Sequence, residues 1–221
     1  MACRTETSSS SYATTKLTCS VAVDPSGSWT AGPTVTTDAI SSDTTYLYGP
    51  CNIIYDGSKY IFSFSYHLTG NYANFFGMCS YSSLLQTDPD ESFLFPSSES
   101  GYLSKKAYGI KLFYRNGYYI FINPYRYTMY YSSVWNGTYS SVSLGSSQLY
   151  SVAEIVYFNN RWYVFCGYSS STVAYISSDS SIDSSYTETT VSSNALTFAN
   201  STNYGECVYL LSNNKGQFLA F

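Results

Sequence analysis

One pattern occurs four times along this chain of 221 residues, and this repetition limits the possible folds more than any other feature. In each copy a tyrosine and a short polar step precede an apolar strand, a tight turn rich in Asp, Asn and Gly, and a strand of aromatic and aliphatic residues. Such turns between apolar runs are a strong short-range signal for a β-hairpin. The four copies cover residues 48–62, 108–121, 150–165 and 204–221. Their turns are predicted at Gly57, Gly117, Asn160 and Gly216.

The first three copies continue alike after the hairpin. Each has a loop, a strand that ends in small hydroxyl residues, a polar turn, and an aromatic residue near the start of a last strand (Phe93, Tyr139 or Tyr186). The fourth copy ends at Phe221 after two strands, and residues 16–30 resemble the missing half.

Repeats of roughly 40–50 residues with four strands each are typical of β-propeller blades. Pairing the N-terminal strands with the C-terminal hairpin would complete the last blade and remove its unpaired edges. We therefore predict an all-β fold, a single four-bladed β-propeller closed by that pairing, with a β-sandwich of short strands as the alternative. The predicted domain spans residues 1–221, with 1–14 as a flexible or loop N-terminus and blades at about 48–100, 102–147, 150–200, and 204–221 plus 15–47.

The balance of charged and aromatic residues excludes several classes of protein. Only 11% of the residues are charged, the 10 Lys and Arg are scattered and the net charge is −4, so no nucleic-acid partner is expected. Aromatic residues make up 19% of the chain, which supplies enough apolar area for a folded core. No stretch of about 18 apolar residues predicts a membrane span, and the polar N-terminus predicts no signal peptide.

The cysteine and acidic residues give no strong metal signal. The six cysteines are widely spaced without a C-x-x-C pair, so we expect buried free thiols rather than zinc ligands, with disulfides as the alternative. The loop with Asp88, Asp90 and Glu91 could hold Ca²⁺, although an ordinary solvated turn is favoured. We therefore predict no metal and no cofactor.

Two of the polar turns resemble a known propeller motif. Residues 24–29, Asp-Pro-Ser-Gly-Ser-Trp, resemble the Asp-box turn (Ser-x-Asp-x-Gly-x-Thr-Trp) of sialidase-like and BNR-type propellers, with the glycine displaced by one position. Residues 133–139 keep the glycine and the aromatic residue but lack the aspartate. In style and repeat plan the whole chain resembles the Ser- and Tyr-rich propeller modules of bacteriophage tail and capsid-surface proteins.

That resemblance implies a non-enzymatic virion surface protein, which would be a tail or capsid decoration or adhesion module. Its partners would be host-surface glycan, other virion proteins, or further copies of itself within a particle. The predicted lack of a signal peptide agrees with a virion protein made in the host cytoplasm, since such particles leave by lysis. A purely structural assembly piece is a further alternative.

A tyrosine-rich face is the candidate binding surface, because the loops that join the second and third strands of propeller blades lie on one face. Phenol rings stack on the apolar C–H patches of sugars, and hydroxyl and amide groups bond sugar hydroxyls. The same groups suit a protein partner, and the alternative is that the rings fill gaps between blades. The candidate binding residues are Tyr66, His67, Tyr72, Asn74, Tyr125, Arg126, Tyr127 and Tyr168.

The main prediction assigns no catalytic residue. His67 is the only histidine, which argues against His-based triads. Arg115 and Arg161 are expected at hairpin turns on the face opposite the tyrosine loops, which leaves no arginine cluster of the sialidase type. Glu154 and Glu206 occupy matching positions in the first strands of the third and fourth copies, so both could line a central channel. A glycosidase needs such a pair, and a small propeller glycoside hydrolase or lyase acting on polysaccharide is the alternative function.

Overall fold

The apolar and aromatic runs of the sequence form antiparallel β-strands in the computed structural model, and no helix occurs in the residues that it describes. Those residues are 2–6, 13–14, 16–24, 26–36, 44–48, 52–68, 74–95, 110–123, 127–145, 151–168, 171–191, 210–212 and 218–220. This part of the chain accordingly contains no helix long and apolar enough to cross a membrane. Contacts divide the chain into two compact units, Met1–Leu112 and Phe113–Phe221, which are described separately.

The first unit contains two sheets. One has the order β1-β3-β4 and consists of β1 (Ala2–Glu6), β3 (Lys16–Ala22) and β4 (Thr30–Thr36). The strands of the other are β2 (Ala13–Thr14), β5 (Thr44–Tyr48), β6 (Ile53–Tyr55), β7 (Tyr60–Leu68), β8 (Asn74–Tyr81) and β9 (Glu91–Leu94). Their order is β2-β5-β7-β8-β9, and β6 pairs with β7 as well.

The second unit contains two four-stranded sheets and a hairpin. The first sheet runs in chain order through β10 (Phe113–Arg115), β11 (Tyr118–Asn123), β12 (Thr128–Ser132) and β13 (Ser140–Ser143). The second runs through β14 (Ser151–Phe158), β15 (Arg161–Tyr168), β16 (Ser171–Ser177) and β17 (Tyr186–Val191). The hairpin pairs β18 (Leu210–Ser212) with β19 (Phe218–Ala220).

Three of the predicted hairpins, β6–β7, β10–β11 and β14–β15, form with their turns at the predicted residues. In the last two the register leaves a two-residue turn, as in type I′ hairpins, where both central residues are left-handed. The φ angles are 50° at Asn116, 80° at Gly117, 49° at Asn159 and 57° at Asn160. Gly57, with φ 101°, lies in the remaining turn. The predicted turn at Gly216 lies outside the described residues.

The predicted closure of the chain into a ring is not found. β3 pairs on one edge with β1 and on the other with β4, while β19 pairs with β18. β1 lies in the segment expected to be a flexible or loop N-terminus, and it occupies the edge that the C-terminal hairpin was expected to fill. The structure therefore supports an all-β fold with repeated antiparallel sheets, and no closed four-bladed propeller is shown.

The repeat is visible at the level of individual rings. Each of the three hairpins places two aromatic residues directly opposite each other, next to the turn. Their ring centroids are 4.8 Å apart for Tyr55 and Tyr60, 4.8 Å for Tyr114 and Tyr119, and 4.9 Å for Tyr157 and Trp162. Cross-strand aromatic pairs contribute about 0.2–1 kcal/mol each. The pairs therefore stabilise the same register in these three copies.

The turns that lead into β13 and β17 share a second feature, a tyrosine hydroxyl that bonds to the backbone of a buried turn residue. Trp135 and Ile182 are apolar turn residues that lie buried in the second unit. The hydroxyl of Tyr139 donates to the carbonyl of Trp135 at 2.9 Å, and the hydroxyl of Tyr186 donates to that of Ile182 at 2.9 Å. Burial raises the pKa of both tyrosines. Each phenol therefore remains neutral and closes its turn by a hydrogen bond to the backbone of the buried apolar residue.

Each unit has its own apolar core. In the first, Leu17 and Val35 of the β1-β3-β4 sheet pack in one cluster with Phe62 and Tyr81 of the other sheet. The Tyr81 hydroxyl donates to the carbonyl of Thr34 at 2.7 Å, which connects the two sheets by a hydrogen bond. In the second unit Trp162 is fully buried, and the cluster around it contains Phe113, Ile120, Ile155, Val164 and Tyr175.

The cysteines with described side chains are of two kinds. Cys79 and Cys166 are buried free thiols, as predicted. Burial raises the pKa of Cys79 to about 12 and raises that of Cys166 as well, so neither is a ready nucleophile. Cys19 is disulfide-bonded, which corrects the expectation of a free thiol at this position.

Alkylation should separate these thiols. Native protein treated with iodoacetamide at mildly alkaline pH should leave Cys79 and Cys166 unmodified, because a buried neutral thiol is a poor nucleophile. In denaturant without a reductant both should be modified, and Cys19 should be modified only after reduction. Peptide mass spectrometry reads out each site, and modification of Cys19 before reduction would contradict the disulfide.

Gly77 tests the packing of β7 against β8. It lies opposite Phe64, and a Cβ at this position would approach Cε2 and Cζ of that ring to 2.5 Å. Gly77→Ala should therefore lower the free energy of unfolding by about 1–3 kcal/mol, the usual cost of overpacking a core. The exposed Gly27, where a Cβ would come no closer than 3.2 Å to another atom, gives the control variant Gly27→Ala. If urea denaturation showed equal losses in the free energy of unfolding for the two variants, the close packing of Gly77 against Phe64 would be contradicted.

Candidate functional site

Strand β14 presents a carboxylate beside an irregularity in its pairing. The register between β14 and β15 shifts between Val152 and Glu154. Ile155, the next residue, is fully buried in the core of the second unit, and the Glu154 side chain remains 15% exposed. The bulge thus places a carboxylate at the surface immediately beside a fixed core residue, and bulges of this kind often direct a side chain toward a site.

Arg115 holds one oxygen of this carboxylate. Its Nη2 donates to Oε1 of Glu154 at 2.9 Å, and the backbone N–H of Ile155 donates to the same oxygen at 3.0 Å. Within the described part of the chain no hydrogen bond to Oε2 of Glu154 is found. Oε1 is therefore fixed by two donors, and Oε2 has no hydrogen-bond partner among the described residues.

The guanidinium of Arg115 is itself held by two backbone carbonyls. Nε donates to the carbonyl of Ile155 at 3.2 Å, and Nη1 donates to that of Tyr114 at 2.9 Å. The planar fork of arginine suits such a fixed geometry. Arg115 therefore joins the end of β10 to β14 through two hydrogen bonds, and a third, within β10, holds its guanidinium in place.

The local sequence explains the position of Arg115. Asn116 and Gly117 form the tight turn after it, and Phe113, two residues before it, is buried in the same core as Ile155. Phe113 and Arg115 are two residues apart in β10, so their side chains lie on the same side of the strand. Because β10 ends at Arg115, this side chain remains 42% exposed. The core contact between β10 and β14 and the rigid turn together bring the guanidinium to Glu154.

This arrangement orients a carboxylate more than it stabilises the fold. A charge-assisted hydrogen bond to a half-exposed arginine contributes little net stability, because water screens the pair. The held carboxylate can act as a base, as a nucleophile, or as a group that stabilises developing positive charge. No group of three or more His, Cys, Asp or Glu placed to hold a metal ion is found among the described residues.

The tyrosine candidates are placed differently from one another. Tyr66 is 3% exposed and packs against Phe64 and Phe75, and burial raises its pKa to about 12, so its ring belongs to the core and is not open to a ligand. Tyr127 is partly buried against the core of the second unit, has a φ of 54°, and accepts a hydrogen bond from Leu144 N–H at 2.7 Å.

The remaining candidates are described only by their backbone or not at all. His67 of β7 and Asn74 of β8 are register partners at the ends of their strands, and Tyr168 is the register partner of Ser171. These positions are connections between second and third strands. The candidates outside the described residues are Tyr72, Tyr125, Arg126 and Glu206.

Arg115 is the site residue that the sequence did not indicate. It was expected at a hairpin turn away from any site, and it is 39 residues from Glu154 along the chain, with no motif that links them. When the second and third copies are aligned from their turns, Arg115 matches Phe158 and Glu154 matches Lys111, so the repeat alone does not indicate this contact.

Comparison with known proteins finds similarity to a solved structure and no matching family. No protein-family model and no curated protein matches this chain. The catalytic domain of the Coprinopsis cinerea GH62 alpha-L-arabinofuranosidase is similar with a TM-score of 0.48 and 10% sequence identity, over 73% of this chain and 55% of that one. This chain thus spans about half the length of the structure that it matches.

The comparison corrects two expectations. A non-enzymatic bacteriophage virion protein was predicted, whereas the similar solved structure is the catalytic domain of a glycoside hydrolase. The prediction that the chain is not an enzyme is corrected on the same finding. The activity proposed below is argued from the site of this chain and not from that likeness, which at this TM-score assigns no function.

The hydrogen bonds of Arg115, here called the Arg115 clamp, can be tested against a second arginine beside a turn. Arg161 is the first residue after the turn of the next hairpin, is exposed, and has no described side-chain partner. Arg115→Ala should lower the free energy of unfolding by about 1 kcal/mol, since three hydrogen bonds at a half-exposed position are lost. Arg161→Ala should change it by less than about 0.5 kcal/mol. Equal effects in urea denaturation of the two variants would contradict the clamp.

Proposed function

We propose that this chain is a small glycoside hydrolase or lyase that acts on polysaccharide, with Glu154 as a catalytic carboxylate. The observation that carries the proposal is the geometry of this group. Arg115 and the N–H of Ile155 fix Oε1, while Oε2 has no described partner and the side chain retains access to solvent. A catalytic carboxylate needs this combination of fixed orientation and access.

Hydrolysis of a glycosidic bond uses two carboxyl groups, one that protonates the leaving oxygen and one that acts as base or nucleophile. Because Arg115 pairs with the carboxylate form of Glu154, we assign to Glu154 the role of base or nucleophile. Glu206 is the proposed acid, since it occupies the matching position in the fourth copy of the sequence repeat. The separation of the two carboxyl groups would decide the stereochemistry: about 5–5.5 Å in retaining enzymes and about 6.5–9.5 Å in inverting ones.

A lyase would use the same carboxylate differently. There Glu154 would remove the proton beside the carboxyl group of a uronic acid, and the glycosidic oxygen would leave as an alkoxide that takes up a proton. The products separate the two reactions, because elimination leaves an unsaturated uronate that absorbs in the ultraviolet, whereas hydrolysis leaves only new reducing ends.

The decisive experiment incubates purified protein with a panel of soluble polysaccharides: arabinoxylan, arabinan, galactomannan, pectin and alginate. Reducing ends and ultraviolet absorbance are measured together. We expect activity on at least one substrate, and a loss of kcat of about 100-fold or more in Glu154→Gln and in Glu206→Gln, with a smaller change in KM.

Glu188→Gln is the matched control, because Glu188 is an exposed glutamate of the same sheet whose Oε2 accepts a hydrogen bond from Tyr175 at 3.1 Å. Its kcat should stay within about twofold of the unmodified protein, as expected for a surface change away from the chemistry. Wild-type protein that releases no product from any of the five polysaccharides would contradict the proposal. Retention of full activity in Glu154→Gln would contradict the role of that residue.

A further inference from the structure

Tyr55 differs from the residues that occupy the same place in the other two hairpins. All three belong to the cross-strand aromatic pairs beside the turns, but Tyr114 and Tyr157 are partly buried, whereas Tyr55 is 56% exposed. The repeats thus provide an internal comparison, in which only one ring of three equivalent rings is largely open to solvent.

The exposed ring is held in a fixed orientation. Its hydroxyl donates to the carbonyl of Gly57 at 2.8 Å, and its ring lies 4.8 Å from that of Tyr60 at an interplanar angle of 36°. An aromatic ring that is both exposed and fixed loses little conformational entropy when a ligand stacks on it.

The turn beside this ring has the same length as the corresponding turns, and Asp56 of this turn is a carboxylate that the other two turns lack. Asp56 accepts hydrogen bonds from Ser58 N–H at 2.7 Å, from the Ser58 hydroxyl at 2.9 Å and from Lys59 N–H at 2.8 Å. The ring is therefore next to an ordered turn that carries a hydroxyl and a carboxylate group.

We propose that Tyr55 is a carbohydrate-stacking platform that binds a polysaccharide chain. The apolar C–H face of a pyranose ring would stack on the exposed phenol, and the side chain of Ser58 would form hydrogen bonds with the sugar hydroxyls. Sugars whose hydroxyls are all equatorial present the flattest C–H face, so the inferred ligand class is a β-linked glucan or xylan. Tyr55 lies in the first unit and Glu154 in the second, so this site goes beyond the proposed function.

The test is affinity electrophoresis of the native protein in gels that contain hydroxyethyl cellulose, barley β-glucan or xylan, compared with gels without polysaccharide. We expect at least one of these polymers to retard the protein. Tyr55→Ala should weaken the apparent affinity by about fivefold or more, which is the scale of a lost ring contact. Tyr55→Phe keeps the ring and should stay within about twofold of the unmodified protein.

Leu85→Ala is the matched control, since Leu85 is a 66% exposed apolar residue of the same unit, and it should bind like the unmodified protein. Thermal unfolding of each variant shows whether it is folded. Absence of retardation in all three polymers, or equal losses in Tyr55→Ala and Leu85→Ala, would overturn the proposal. Unmodified protein that is retarded in these gels but releases no product from the polysaccharide panel would contradict the proposed activity and leave this site supported.

Discussion

The tight hairpin turn is the constraint on which the described structure depends. Where Asn-Gly or Asn-Asn pairs adopt left-handed φ angles, the two strands can be joined by only two residues, so their register is fixed. Register then decides which side chains meet, because a slip of one residue would turn every side chain to the other face. The ring pairs beside the turns and the position of Arg115 both follow from it. The candidate site is thus a consequence of turn chemistry more than of a catalytic sequence motif.

Because charged residues are scarce, tyrosine hydroxyls supply hydrogen bonds that stabilise the fold. With only 11% of the residues charged, ion pairs can satisfy few polar groups, and the phenols form hydrogen bonds to backbone carbonyls instead. Tyr81 links the two sheets of the first unit, and Tyr139 and Tyr186 close turns in the second. A phenol is well suited to this, since it fills apolar space and still supplies a donor at its tip. High tyrosine content is therefore weak evidence for a binding face, as the buried ring of Tyr66 illustrates.

The sequence predicted local structure far better than long-range pairing. The hairpins at Gly57, Gly117 and Asn160 were predictable because each turn has a strong conformational preference. The strand that pairs with β3 was not predictable, because an unpaired strand edge can accept any extended segment. Nothing in residues 2–6 marked them as that strand. The contact between Arg115 and Glu154 was out of reach for the same reason. It depends on how two sheets pack, whereas the prediction of Glu154 as a candidate needed only its place in the repeat.

The ion pair also bears on how such a site could arise in a repeated fold. Arg115 precedes the turn of its hairpin, and the residue that matches it in the next hairpin is Phe158, which carries no charge. Repetition therefore supplied the framework, and the pairing of Arg115 with Glu154 is particular to this place in it. The same reasoning applies to Tyr55, whose ring is exposed although its counterparts in the other two hairpins are partly buried. In both cases the departure from the repeat, and not the repeat itself, points to function. Conserved geometry among the copies explains stability, and the positions where a copy differs are where chemistry can be added without unfolding the sheet.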